Sequence, residues 1–152
     1  MAKIIFRFVE PCSLVGKIIT WWLNEPFSHM AIIIGDVAYS AQVPFVAMLP
    51  ASHKSVAMPP RTGVDVVIEA SEEERLRIKE WCESHIGRSY DILSILGWMF
   101  GLHWLQSRKN NYCFEYGRKA LEHMGWLEPT DDLVKGQRLL DELNKLAKDR
   151  NS

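Results

Sequence analysis

Cysteine is scarce in this sequence, and its spacing suits neither a disulfide framework nor a metal. The three cysteines are Cys12, Cys82 and Cys113. An odd count with no C-x-x-C pair argues against stapled loops and against a thiolate zinc site. Charge of one sign is missing too: the formal net charge is -1 over 152 residues, and no basic run is interleaved with aromatics. No field of that kind gathers nucleic acid, so no nucleic-acid partner is expected. Long apolar runs are absent, since nothing reaches the roughly 18 residues of a membrane span. The N-terminal MAKIIFRFVE is too polar, and its apolar run too short, to read as a signal peptide. The default expectation is a reducing cytoplasm, where a thiol survives. Internal repeats, low-complexity tracts and linkers are also lacking, so residues 1–152 read as a single domain. With 47% apolar and 24% charged residues, the chain can build an ordinary core.

What is present alternates and then coils. Lys3–Val9 reads as a strand. Ser13 can cap a helix over Leu14–Leu23, in which Val15, Ile18, Ile19 and Trp22 recur at helical spacing. Ser28–Ile34 and Val37–Gln42 flank Gly35-Asp36, a two-residue turn signal, and together predict a hairpin. Pro44 to Pro60 reads as loop or irregular strand, and Val64–Glu69 as another strand. Ser71 and Glu74 form an S-x-x-E capping box for a helix that should bury Ile78, Trp81, Cys82 and His85 and stop at Gly87. Tyr90–Leu105 is mostly apolar and reads as a buried or half-exposed helix; Trp98, Phe100 and Trp104 would also suit the flank of a lipid groove. A helix follows over Cys113–Met124, ended by Gly125. A last amphipathic segment carries Leu133, Leu139, Leu140, Leu143 and Leu146. The expected class is α+β, with an antiparallel sheet packed against helices.

Cys82 falls on the apolar stripe of its helix and is expected in the core. Cys113 opens a helix after the polar run ending in Asn111. There the positive end of the macrodipole and the first-turn N–H groups favour a thiolate and can hold an oxyanion. Spacing alone leaves Cys113 open between nucleophile and small core residue. A nucleophile needs a base, usually histidine, held by a third polar group. Among His29, His53, His85, His103 and His123, His29 stands at the start of a strand, a rigid platform. If Gly35-Asp36 is the tight turn, Ile34 pairs with Val37 and the count sets His29 opposite Gln42, with Ser40 diagonal on the same face. Either side chain can accept from the imidazole N–H.

The stretches PFSHMAIIIGDVAYSA, IGRSYD and NYCFEYGRKALEHMG, in that order, resemble the circularly permuted branch of the NlpC-type papain-like cysteine hydrolases. The likeness runs from about Ile4 to Pro129. It implies a papain-like fold with Cys113 as nucleophile, His29 as base and Ser40, before the small Ala41, as the third residue. A serine there departs from the family pattern, and the pairing count points instead to Gln42. Tyr90 matches a family tyrosine that lines the pocket or polarises the carbonyl, and Glu115 matches a structural Cys-x-Glu carboxylate. The implied activity is cleavage of a peptide or cell-wall stem-peptide amide through a thioacyl intermediate, with no metal and no cofactor. Acyl transfer or hydrolysis at a lipid, with peripheral lipid contact, is the alternative; a non-catalytic binding domain that keeps the fold is another. A peptidoglycan substrate would require delivery by lysis, a phage particle or a secretion system.

Overall fold

A computed structural model describes residues 1–24, 26–41, 46–88, 113–131 and 134–152, with the backbone alone at 15, 16, 19, 22 and 23. The hairpin forms where the turn signal sits. β2 (His29–Ile34) and β3 (Val37–Ala41) pair with Ile34 opposite Val37, and Gly35 takes φ +62° at the first turn position. That conformation suits glycine, which has no Cβ to clash. β1 (Ala2–Val9) pairs with β2 on one side and with β5 (Gly63–Ala70) on the other. β4 (Val46–Pro50) adds to β3, closing a five-stranded sheet in the order β4-β3-β2-β1-β5 with every pair antiparallel. β4 lies where a loop or irregular strand is expected. Its Pro50 withholds a backbone donor, which an edge position tolerates.

Strand alternation sorts the sheet into two faces. Ile4, Phe6 and Phe8 of β1 and Met30, Ile32 and Ile34 of β2 join one large core. Ala31, Ile33 and Ala38 turn the other way and pack with Val56 and Ile5. The large core is covered by three helices: α2 (Glu72–Ser84), α3 (Cys113–His123) and α4 (Gly136–Asn151). In α4, Leu139, Leu140 and Leu143 are buried as the spacing predicts. Arg118 of α3, itself buried, donates to Glu122 at 3.0 Å, to the Glu128 carbonyl at 2.9 Å and to Glu142, binding α3 to α4.

A further described helix, α1 (Leu14–Leu23), lies in sequence between β1 and β2. Ile18, part of the spacing that marks this helix, is exposed together with Leu14 and Trp21. Among the described residues no helix is long and apolar enough to cross a membrane.

The capping box at α2 is complete. Ser71 Oγ accepts from the Glu74 N–H at 3.1 Å, and Glu74 accepts from the Ser71 N–H at 2.8 Å. Burial alone would raise the Glu74 carboxyl, but that N–H and Arg150 outweigh it and hold it below its usual value. Ser71→Ala is therefore expected to cost about 1 kcal/mol, read from the denaturant midpoint. Ile78 and Cys82 are fully buried on this helix, as the stripe predicts. Trp81 and His85 are only half-buried: their rings stack on each other at 3.9 Å, and His85 lies beyond the last helical residue as its C-cap. The last helix also finishes the sheet. Asn151 Oδ1 accepts from the Glu69 N–H at 2.9 Å and its Nδ2 donates to the Val67 carbonyl at 2.8 Å, on the outer edge of β5.

Candidate active site

Cys113 begins α3, at the end of the sheet where β2 starts. Aromatic packing fixes that end. The Phe114 ring stacks on Phe8 at 6.2 Å between centroids, and Phe8 meets Phe27 at 5.5 Å. These three rings come from α3, β1 and the turn before β2, so the helix start cannot slide along the strand without unpacking them. One turn further on, Gly117 gives α3 room over Met30, whose sulfur lies 2.4 Å from where a Cβ would be. The thiol of Cys113 consequently reaches the Ser28 carbonyl, at 3.9 Å. That carbonyl belongs to the peptide joining Ser28 to His29. Cys113 is 3% exposed and belongs to the large core.

His29 opens β2 and is half-buried. Its Nε2 is hydrogen-bonded to Ser40 Oγ, and Ser40 is fully buried. Desolvation first, and the charge of Arg61 second, push the imidazole down from 6.5 to about 4. His29 is therefore neutral at physiological pH. Alternation along β2 and β3 places His29 and Ser40 on the face of Ala31 and Ala38, opposite the face on which α3 lies. Thiol and imidazole therefore lie on opposite faces of the sheet, with Ser28 at the end of β2 between them.

The residues singled out in the sequence sort as follows. His29 and Ser40 are in contact, and the Cys113 thiol reaches the carbonyl of the peptide that leads into His29. Gln42 and Tyr90 lie outside the described residues, as does the apolar segment 90–105. Glu115 pairs with Lys119 at 3.0 Å one turn along α3, a helix-stabilising role. Cys82 is core, and burial pushes its thiol up to about 12. Cys12 is exposed. Among the described residues no three His, Cys, Asp or Glu side chains converge to hold a metal ion.

Arg61 is the neighbour that sequence reasoning missed. Its Nη2 donates to the Glu10 carbonyl at 2.8 Å and to Ser28 Oγ at 3.4 Å, and its Nη1 donates to the Ser55 carbonyl at 3.1 Å. No local pattern announces it, because its partners at Glu10 and Ser28 are 51 and 33 positions away. No protein-family model matches this chain, and no curated protein matches it.

Proposed function

We propose that the protein is a thiol hydrolase of the papain-like, permuted NlpC type, cleaving an amide through Cys113 and His29. One observation carries the reading. A histidine tethered through Nε2 to a buried hydroxyl follows the peptide whose carbonyl is reached by the thiol of a cysteine at a helix N-terminus. With Nε2–H donated to Ser40, Nδ1 is the nitrogen left to take a proton. In the proposed cycle Nδ1 accepts the Cys113 proton as the sulfur attacks the carbonyl carbon. First-turn N–H groups of α3 stabilise the oxyanion. The C–N bond then breaks, and the amine leaves with the proton from His29. Water, deprotonated by the same nitrogen, attacks the thioester and restores the thiol. Peptides and peptidoglycan stem peptides are the proposed substrate class.

The near-complete burial of Cys113 favours one competing reading, a binding domain that keeps the fold without turnover. The two separate in one experiment. The intact protein is treated with a limiting amount of a peptidyl electrophile, and labelled cysteines are mapped by mass spectrometry. Exposure alone ranks Cys12 first; a working site reverses that order and places Cys113 first. Labelling in order of exposure would end the hydrolase reading and leave the binding domain.

A further inference from the structure

Two arginines lie beside the sheet face that carries His29, and they are treated differently. Arg7, opposite Ala31 in the register, is neutralised: Asp65 takes both Nε and Nη2 at 2.7 Å. Arg61 is not. Its described acceptors are two carbonyls and a hydroxyl, and its Nε is buried with no partner among the described residues. The nearby Glu10 offers Arg61 its carbonyl, while its carboxylate accepts from Thr62 Oγ1 at 2.8 Å. Stability alone would favour a paired or apolar group at such a place, since a partly buried cation without a counter-ion is costly.

We propose that Arg61 is a positioning residue of the candidate site, pinning Ser28, just before β2, to Glu10 and Ser55 and setting a positive charge beside His29. The inference rests on the hydrolase reading and adds to it a residue that touches neither thiol nor substrate. The mechanical part is direct. Ser28 carries both the hydroxyl that Arg61 holds and the carbonyl that Cys113 approaches. Glu10 follows the last residue of β1, and that residue, Val9, pairs with His29. One guanidinium thereby fixes the backbone on both sides of the imidazole. The electrostatic part follows from the charge itself, for which no carboxylate partner appears among the described residues. Among the described residues, the groups facing the His29 end of β2 are Ser40 from β3, Ser28 with the Cys113 thiol at its carbonyl, and Arg61, with the Arg7–Asp65 pair farther along the face. Arg61 alone among them brings net charge, and it disfavours the imidazolium, second to burial.

The test follows His29 in the intact protein by NMR titration and, in parallel, the rate of Cys113 labelling by the peptidyl electrophile. Wild type, Arg61→Gln and Arg61→Lys are compared. Arg61→Gln should move the His29 midpoint from near 4 toward 6.5, while Arg61→Lys keeps it low. Both should slow labelling, because neither replaces the forked hold on Ser28 and Glu10. An unchanged midpoint in Arg61→Gln overturns the electrostatic role. Labelling by Arg61→Lys at the wild-type rate overturns the positioning role, and this arm decides it even if Arg61→Gln fails to fold. If the electrophile never singles out Cys113 in the wild type, the hydrolase reading fails; the NMR arm still reports whether Arg61 acts on His29.

Discussion

Replacing His29 with alanine is expected to slow acylation of Cys113 by about 10²- to 10⁴-fold at neutral pH, the range a positioned general base supplies. The effect is large because the proposed reaction needs a base to take the thiol proton, and His29 is the group assigned to it. The buried Ser40 hydroxyl is already engaged with the imidazole, and the Ser28 oxygen beside the sulfur is an amide carbonyl. Ser40→Ala should cost far less, roughly tenfold, since it removes one neutral hydrogen bond of about 1 kcal/mol and leaves the base in place. The pH profile carries a second signature. An imidazole with a midpoint near 4 remains a base through the whole neutral range, so the acid limb of kcat/KM should fall near pH 4 rather than near 6.5.

The same shift links His29 to stability. Below 6.5 the unfolded chain binds a proton at His29 that the folded chain refuses until about pH 4. Stability contributed by the neutral ring is thus fully present above 6.5 and is lost as pH falls through that window. The total is at most about 3 kcal/mol. Denaturant midpoints measured from pH 7 to pH 4 should fall less steeply in His29→Gln than in the wild type.

The largest effect on folding is expected at Gly63, where alanine should cost about 3 kcal/mol or more. Gly63 opens β5 opposite Val9. A Cβ there would stand 1.9 Å from the Phe8 carbonyl oxygen and 2.9 Å from Val9 Cα. Both atoms are backbone of β1, held from the other side by β2, so no rotamer change relieves the clash. The requirement is for space, not for an unusual φ. Gly117→Ala makes a useful contrast. Its new methyl would meet the sulfur and terminal carbon of Met30, the movable tip of a flexible side chain. Alanine also gains up to about 1 kcal/mol of helix propensity there. The denaturant midpoint should fall sharply for Gly63→Ala and much less for Gly117→Ala. Because Val9 also pairs with His29, the Gly63 variant should loosen the start of β2 as well.

Features set by neighbours in the chain were legible in the sequence, and features set by distant contacts were not. The capping box needs only Ser71 and Glu74, and the hairpin only Gly35-Asp36 between two alternating runs; both stand as read. The α3 start at Cys113 follows from local periodicity in the same way. β4 falls within the stretch read as loop or irregular strand; its bounds were not legible because it carries Pro50 and, as an edge strand, relies on its partner rather than on its own pattern. His85 fits the helical stripe by spacing, yet the helix ends at Ser84 before the stripe is complete, and Trp81, within the helix, is only partly buried against the core. In the site, pairing arithmetic points to Gln42 opposite His29 with Ser40 diagonal, and the resemblance points to Ser40; the bond seen is the one to Ser40, while Gln42 lies outside the described residues. Arg61 was invisible, since its hold on Ser28 and Glu10 exists only once three separate segments have folded together.

The Asn151 amide bears on how the molecule meets copies of itself. An outermost strand offers a row of backbone donors and acceptors to any other chain. Here one side chain impersonates a sixth strand, occupying the Glu69 donor and the Val67 acceptor that a stranger would otherwise seize. Arg150 stands guard beside it, anchored on Glu74 at 2.8 Å and lying over the Trp126 ring. Losing this decoy would do more than fray a helix: it would unmask a sticky border and turn a solitary sheet into a template for self-association.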